Sequence, residues 1–165
     1  MIVSGSGNSV SDPYVIQQQI QLKPANKDEL AFFCEMAKQD HARDFVNQHD
    51  LETLQTWFAR DNTHFLCICD TSDELIGYFI LIVEQDEQTV EFARIVIDRR
   101  SRGIGQLAIR EMEAFCRNEL GANRIWLDVY EDNPRGIHIY EKLGYSYFKT
   151  EMVADRKLHF YEKYF

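Results

Sequence analysis

Three arginines and two glycines lie within eight residues in the stretch RRSRGIGQ, residues 99–106. The apolar run EFARIVID precedes this stretch, and the helix-like pattern IGQLAIREMEAFC follows it. Glycines at a helix N-terminus let backbone N–H groups approach a phosphate, and neighbouring arginines add charge and forked donors. The pattern therefore predicts a phosphate cradle formed by Arg100, Arg102, Gly103, Ile104 and Gly105.

Several nucleotide-binding motifs could use such a turn. A P-loop is excluded because no Gly-Lys-Ser/Thr follows the glycines. GIGQLA matches the glycine pattern of an NAD(P)-binding fingerprint, and Asp128 follows at about the distance expected of a ribose-binding acid. In that fold, however, the first glycine comes directly after the strand, whereas residues 99–102 intervene here. NAD(P) binding is therefore the weaker alternative.

A second segment, NPRGIHIYEKLGY at residues 133–145, carries an independent signal. Asn133 suits a helix cap, Pro134 the first helical turn and Gly144 the helix end. With the turn RRSRGIGQ, this segment resembles the GNAT superfamily of acetyl-CoA-dependent N-acetyltransferases. Arg100, Gly103 and Gly105 match that family's Arg/Gln-x-x-Gly-x-Gly/Ala signature, and Asn133, Tyr140, Gly144 and Tyr145 match its second motif. The sequence DVYEDNPRGIHIYEKLGY is most similar to the branch of polyamine and ribosomal-protein acetyltransferases.

The resemblance implies direct transfer of an acetyl group from acetyl-CoA, the co-substrate, to a primary amine, without a covalent enzyme intermediate and without a metal. It implies that the pantetheine arm of acetyl-CoA pairs with the fourth strand and that its pyrophosphate lies on residues 100–105. Outside that cradle, the implied cofactor contacts are Ile95, Val96, Ile97, Asn133, Arg135 and Tyr140.

The resemblance also assigns catalytic roles. Tyr140 matches the family's general acid, which donates a proton to the departing sulfur; its ordinary pKa near ~10 makes it a poor base at neutral pH. Two carboxylates compete for the role of base: Glu91 at the start of the fourth strand, which we favour, and Asp128 near the end of the fifth. An ordered water with no dedicated base is a third alternative.

The acceptor is expected to be cationic. In the family, the first two helices and their connecting loop contribute to acceptor selectivity, and here that loop, KQDHARDFVNQHDLE, is acidic and partly aromatic. Its relevant side chains are Asp40, Asp44, Phe45, Asp50 and Glu52. We therefore expect a polyamine, an aminoglycoside or a basic protein amine. The competing function is an acyl-CoA-binding module without turnover.

The order of helix-like and strand-like patterns is β-α-α-β-β-β-α-β-α-β-β. It predicts an α+β, GNAT-like three-layer fold: a mostly antiparallel mixed sheet of about seven strands with a parallel pair of fourth and fifth strands, flanked by about four helices. We expect a flexible tail over residues 1–13 and a single domain over residues 14–165.

Composition narrows the function further. The chain has 165 residues and a net charge of −9, which argues against general nucleic-acid binding, while Arg94 and the arginines of the turn suit one compact anionic ligand. No apolar run is long enough to span a membrane, and no secretion signal is recognisable. The four cysteines, without zinc spacing, predict buried free thiols, no metal site and a cytoplasmic protein. The family resemblance also allows a homodimer.

Overall fold

The computed structural model describes residues 20–86, 88–98 and 103–165. The strands described are β1 (Gln21–Pro24), β2 (Thr63–Cys69), β3 (Leu75–Val83), β4 (Thr89–Ile97), β5 (Arg124–Tyr130), β6 (Ser146–Val153) and β7 (Arg156–Tyr164). The helices described are α1 (Leu30–Ala37), preceded by a 3-10 turn (Lys27–Glu29), then α2 (Leu51–Phe58), α3 (Gly105–Asn118) and α4 (Pro134–Lys142). Their order is the predicted one. The predicted tail, residues 1–13, lies outside the described residues.

The strands form one sheet in the order β1-β2-β3-β4-β5-β7-β6. β4 and β5 pair in parallel, and the other described neighbours pair in antiparallel fashion. This confirms the predicted fold class. It also excludes the NAD(P)-binding alternative, because the strand before the phosphate turn belongs to the antiparallel meander β2-β3-β4 rather than to alternating parallel βα units.

Helices cover both faces of the sheet and create two apolar cores. The α3 face buries Phe79, Phe92, Met112, Ile125 and Leu127, among others. The α1–α2 face buries Leu30, Phe33, Leu54, Tyr78 and Ile80, among others, with the Phe33 and Tyr78 rings stacked 4.2 Å apart. All four cysteines are free and buried, as predicted. Within the described residues, no helix is both long and apolar enough to cross a membrane.

A bulge in β4 decides which of its side chains face which core. Ile80 of β3 pairs with Arg94, and the next residue, Leu81, pairs with Phe92, so Ala93 is the extra residue. Phe92 therefore joins the α3 core, whereas Val96 joins the core under α1 and α2. Without the bulge, strict alternation would place both on one face.

The parallel ladder between β4 and β5 is short. It ends where Glu91 lies opposite Trp126. Beyond this point β5 continues to pair with β7, as between Asp128 and Phe160, while β4 continues to pair with β3. The two strands thus diverge and open the sheet towards its α4 end.

Candidate active site

A cleft of about 710 Å³ lies where β4 and β5 diverge. Nine predicted site residues line it: Ile95, Val96, Ile97, Gly103, Gly105, Asp128, Asn133, Arg135 and Tyr140. The fold therefore brings together residues from three separate stretches of the sequence. Arg100 and Arg102 lie outside the described residues, so their predicted roles remain predictions.

Two other predicted residues lie off the cleft wall. The side chain of Ile104 is only 4% exposed and packs in the α3 core, so it can serve a ligand only through its backbone. Glu91, at the last paired position of the parallel ladder, is not among the residues that line the cleft. Its effect on the cleft is therefore through its charge or through an intervening water.

The start of α3 has the features of an anion site. Gly103 has φ +89°, a left-handed conformation that favours glycine, and α3 begins two residues later at Gly105. Among the described residues, no side chain accepts a hydrogen bond from the first backbone N–H groups of α3. These donors and the helix dipole are available to a phosphate.

The edge of β4 beyond Glu91 has the form needed to bind an extended ligand. Ile95 and Ile97 pair with β3 on one side, while the side towards β5 has no paired strand in the described residues. An added chain can use such an edge for backbone hydrogen bonds. This fits the expected position of a pantetheine arm.

The start of α4 forms the opposite wall. Asn133 caps the helix as predicted, because its Oδ1 accepts a hydrogen bond from the backbone N–H of Gly136 at 3.0 Å. A Cβ atom on Gly136 would lie 2.8 Å from Nδ2 of Asn133, so a glycine is needed for this close approach. The cap holds the Asn133 amide at the cleft.

Tyr140 is held between two aromatic rings. Its ring lies edge-on to Phe92, with centroids 6.0 Å apart, and edge-on to Tyr145 at the same distance. Burial, and secondarily the charge of Asp128, raise the pKa of the Tyr140 phenol above its ordinary value. The phenol is therefore protonated at neutral pH and can act as a proton donor.

The two candidate bases lie close enough to interact. Burial, followed by the charges of Asp128 and Glu84, raises the pKa of Glu91 to about 7. Burial within the cleft walls, followed by the charge of Glu151, raises the pKa of Asp128, although its side chain is still reached by solvent. Among the described residues, neither Glu91 nor Asp128 forms a salt bridge.

Aromatic side chains lie beside these carboxylates. Trp126 shares its sheet face with Asp128, two residues further along β5, and its ring stacks on Phe160 with centroids 5.9 Å apart. The indole N–H of Trp126 donates to the carboxylate of Glu84. This arrangement combines negative charge with an aromatic surface.

The acidic loop between α1 and α2 differs in part from its predicted role. Asp50 caps α2 by accepting from the Thr53 N–H at 2.8 Å, and Asp40 pairs with Arg43 at 3.0 Å. Asp44 lies 3.8 Å from the same guanidinium. Asp40 and Asp44 remain largely exposed, so the role of these carboxylates and of Glu52 in attracting the acceptor stays a prediction. Phe45, in contrast, lines the cleft as the prediction requires.

Two cleft residues were not predicted correctly from the sequence. Arg94, grouped there with the phosphate-binding arginines, is only 7% exposed and donates to the Asn47 carbonyl at 2.6 Å, so it supports the loop between α1 and α2. His41, for which the sequence predicted no role in the site, lines the cleft with Nε2 2.7 Å from the Ile97 carbonyl. The apolar neighbours of Arg94 in β4 could have indicated that its side chain is buried. No sequence feature indicated that His41 lines the cleft.

Comparison with known proteins shows to which family the chain is similar. The model of the acetyltransferase (GNAT) family matches residues 30–145. The chain is 34% identical over 59 residues to streptothricin acetyltransferase of Streptomyces lavendulae, which covers 36% of this chain and 31% of that protein. It is 29% identical over 118 residues to the L-amino acid N-acetyltransferase AaaT of Escherichia coli (strain K12), covering 69% of this chain and 68% of that one. The chain thus spans about a third of the first relative and two thirds of the second.

Solved structures show the same fold. A spermidine N-acetyltransferase from Vibrio cholerae, in complex with CoA and spermine, superposes with a TM-score of 0.78 at 18% identity. The superposition covers 88% of this chain and 95% of that one. The Vibrio cholerae enzyme has also been described as a dodecamer.

Proposed function

The chain belongs to the GNAT acetyltransferase family, and we propose that it transfers the acetyl group of acetyl-CoA to a primary amine of a cationic acceptor. The observation that carries this proposal is the divergence of β4 from β5 beside Tyr140 and Asp128. That divergence creates one cleft open to a phosphate-bearing donor and bordered by groups able to move protons.

We call the part of the cleft between the start of α3 and the edge of β4 at Ile95–Ile97 the donor end, because it fits the acyl donor, acetyl-CoA. The backbone N–H groups at the start of α3 would bind the pyrophosphate, with Arg100 and Arg102 predicted to add positive charge. The unpaired edge of β4 at Ile95–Ile97 would bind the pantetheine arm, and Asn133 and Arg135 would contact it from α4. Bound acetyl-CoA supplies an acyl thioester, whose carbonyl carbon is electrophilic.

The acyl transfer requires two proton movements. The neutral amine nitrogen forms a bond to the carbonyl carbon, and the bond from that carbon to sulfur breaks. The nitrogen loses one proton to a base, and the departing thiolate gains one proton. Tyr140, held protonated by its environment, is placed to supply the second of these protons.

We favour Glu91 as the group that receives the proton from the amine. Its pKa of about 7 is well matched to neutral pH, where a base must be deprotonated yet still accept a proton. Because Glu91 does not line the cleft, the proton would travel through a water. Asp128 lies on the wall itself and would hold the incoming cation near the acyl carbon.

The surroundings of these groups favour an acceptor with more than one positive charge. Glu84, Glu91 and Asp128 have no salt-bridge partner within the described residues, and they lie beside the stacked pair Trp126 and Phe160. Ammonium groups bind to carboxylates and to aromatic faces. The spermine complex of the Vibrio cholerae enzyme, which has the same fold, supports a polyamine as the acceptor class.

The test is a release assay for the CoA thiol with a panel of acceptors, combined with mass measurement of the products. Spermidine and spermine should be acetylated with a higher kcat/KM than neutral L-amino acids or arylamines. Equal or better use of neutral amino acids would overturn the cationic acceptor class. Binding of CoA with no turnover on any amine would instead support an acyl-CoA-binding module. A homodimer and a cytoplasmic location remain predictions, which light scattering and localisation of a tagged protein would check.

A further inference from the structure

Arg156, the first residue of β7, joins three chain segments at one end of the cleft. Its guanidinium lies 3.6 Å from the ring centroid of Tyr130 at the end of β5. It donates two hydrogen bonds, at 2.7 and 3.2 Å, to the carboxylate of Asp132 in the loop before α4. A further hydrogen bond, at 3.0 Å, reaches the backbone carbonyl of Asp44 in the segment between α1 and α2.

Each of these contacts adjoins a wall of the cleft. Tyr130 itself lines the cleft, and Asp44 directly precedes the lining residue Phe45. On the hairpin that carries Arg156, the lining residues are Val153 and Leu158. One side chain therefore sets the spacing between walls formed by segments that lie far apart in the sequence.

An arginine is suited to this role in a way that a lysine is not. A planar guanidinium can stack on Tyr130 while its N–H groups point in fixed directions towards Asp132 and Asp44; a lysine ammonium is a point charge on a flexible stem. The side chains of Arg156 and Asp132 are 37% and 63% exposed, so their ion pair adds little to global stability. Its effect is therefore expected on local geometry.

We propose that Arg156 is a positioning residue that holds the segment between α1 and α2 against the cleft and thereby sets acceptor affinity. The kinetic part of this inference rests on the proposed function. The donor end is expected to be independent of it, because Asn133 is fixed by its own hydrogen bond to the Gly136 N–H. Gly103 and Gly105 lie in yet another segment, at the start of α3.

The sign of the effect separates positioning from simple electrostatics. A cationic acceptor is repelled by the charge of Arg156, so removing that charge alone would lower the acceptor KM. Loss of the positioning contacts would raise it. In R156M we expect the KM for spermidine to rise on the order of fivefold, with kcat and CoA affinity changed less than about twofold. R156K should behave like R156M, since a lysine keeps the positive charge but not the planar guanidinium with its several N–H donors.

The matched control is K157M, which removes a positive charge from the adjacent residue. Lys157 pairs with Glu131 at 3.1 Å, and neither residue lines the cleft. K157M should leave the spermidine KM unchanged or slightly lowered. D132N should raise the KM in the same direction as R156M, and the double variant should be less than additive because both changes remove one network.

A measurement without turnover tests the positioning directly. Hydrogen exchange of residues 38–50, in the wild-type protein without ligands, should become faster in R156M and D132N but not in K157M. Unchanged exchange in R156M, or a lowered spermidine KM, would overturn the inference. If exchange responds as expected while the wild-type protein acetylates no amine, the positioning role stands and the proposed function is the part that fails.

Discussion

Glu91 and Trp126 are the last residues paired across the parallel ladder of β4 and β5. Beyond them the strands separate, and the next residue of β5 on the face of Trp126, Asp128, borders the cleft. The end of the ladder thus fixes both the opening of the cleft and the acidic groups beside it.

Tyr140→Phe should lower kcat by about 10²-fold, within the range of general acid catalysis, while CoA affinity is retained. The reason is that the phenylalanine keeps the edge-on contacts with Phe92 and Tyr145 but has no proton to donate. Steady-state kinetics and a CoA binding titration check both parts. Tyr164→Phe, at a tyrosine that is 66% exposed, is the control and should retain full activity. A kcat within threefold of wild type in Tyr140→Phe would remove this residue from the mechanism.

The rate should rise with pH through about 7, because a base must lose its proton before it can act and Glu91 has a pKa of about 7. In Glu91→Gln this limb of the kcat profile should disappear and the plateau rate should fall. In Asp128→Asn the limb should persist at a lower pH, since Asp128 is one of the charges that raise the pKa of Glu91. A limb that survives in Glu91→Gln and is lost in Asp128→Asn would assign the base to Asp128.

The raised pKa of Glu91 also predicts a pH-dependent cost to stability. The folded pKa is about 7 and the ordinary value is 4.5, so the folded state binds the proton more tightly. Stability from this group is fully present below the unfolded pKa and is lost as pH rises through about 7. Glu91→Gln should therefore gain roughly 1–2 kcal/mol in the free energy of unfolding at pH 8, after allowing for partial exposure, and about nothing at pH 4.5. Urea titrations at the two pH values measure the difference; an equal gain at both would contradict it.

The order of elements and the parallel pair could be predicted from the sequence because they follow from local periodicity, and nine of the residues that line the cleft followed from the resemblance carried by two motifs. Asn133 and Gly103 illustrate this, since a helix cap and a left-handed glycine are local features. The bulge at Ala93 could not be predicted in the same way, because it depends on the pairing of β4 with β3. It places Arg94 and Val96 on the α1–α2 face while Phe92 faces α3, and Arg94 there supports the loop between α1 and α2.

Hydrogen bonds between segments that lie far apart in the sequence could not be predicted from the sequence either. The contact between Arg156 and the Asp44 carbonyl joins positions 112 residues apart, and no local pattern marks either partner. The local partners of the acidic residues in the loop between α1 and α2 could not be predicted for a related reason. Whether Asp50 is available to a ligand depends on its hydrogen bond to the Thr53 N–H, and the sequence suggested the charge more clearly than the cap.

Gly103→Glu should abolish the thermal stabilisation that CoA confers. Gly103 has φ +89°, and within the described part of the chain no atom lies within 4 Å of an added Cβ; the charge of a glutamate there would repel the pyrophosphate. The matched control is Gly121→Glu, because Gly121 also has positive φ, +67°, and open space but lies beyond the far end of α3. Both variants should lose similar stability without ligand, and only Gly121→Glu should keep its response to CoA. Equal responses would mean that the cradle lies elsewhere.

Trp126→Leu should selectively weaken the use of acceptors with several positive charges. The indole ring is stacked on Phe160 and lies on the same face as Asp128, so it offers an aromatic surface to the distal ammonium groups of a polyamine. Loss of a cation–π contact of about 1 kcal/mol corresponds to roughly a fivefold rise in the spermidine KM. A monoamine of similar length has no distal charge, so its KM should stay within about twofold. Trp126→Phe keeps a ring and should fall between wild type and Trp126→Leu.

The second tryptophan provides the control for this prediction. Neither tryptophan lines the cleft, but Trp57 lies on α2, where it packs against His49 and Arg60, whereas Trp126 lies beside Glu84 and Glu91. Trp57→Leu also replaces an indole by an isobutyl group, and it should change the KM for spermidine and the KM for the monoamine equally, if at all. The ratio of kcat/KM for spermidine to that for the monoamine is therefore the decisive quantity, because a general loss of packing affects both terms. A ratio that is unchanged in Trp126→Leu would show that the distal charges bind elsewhere, and the carboxylates of the loop between α1 and α2 would then be the next side chains to substitute.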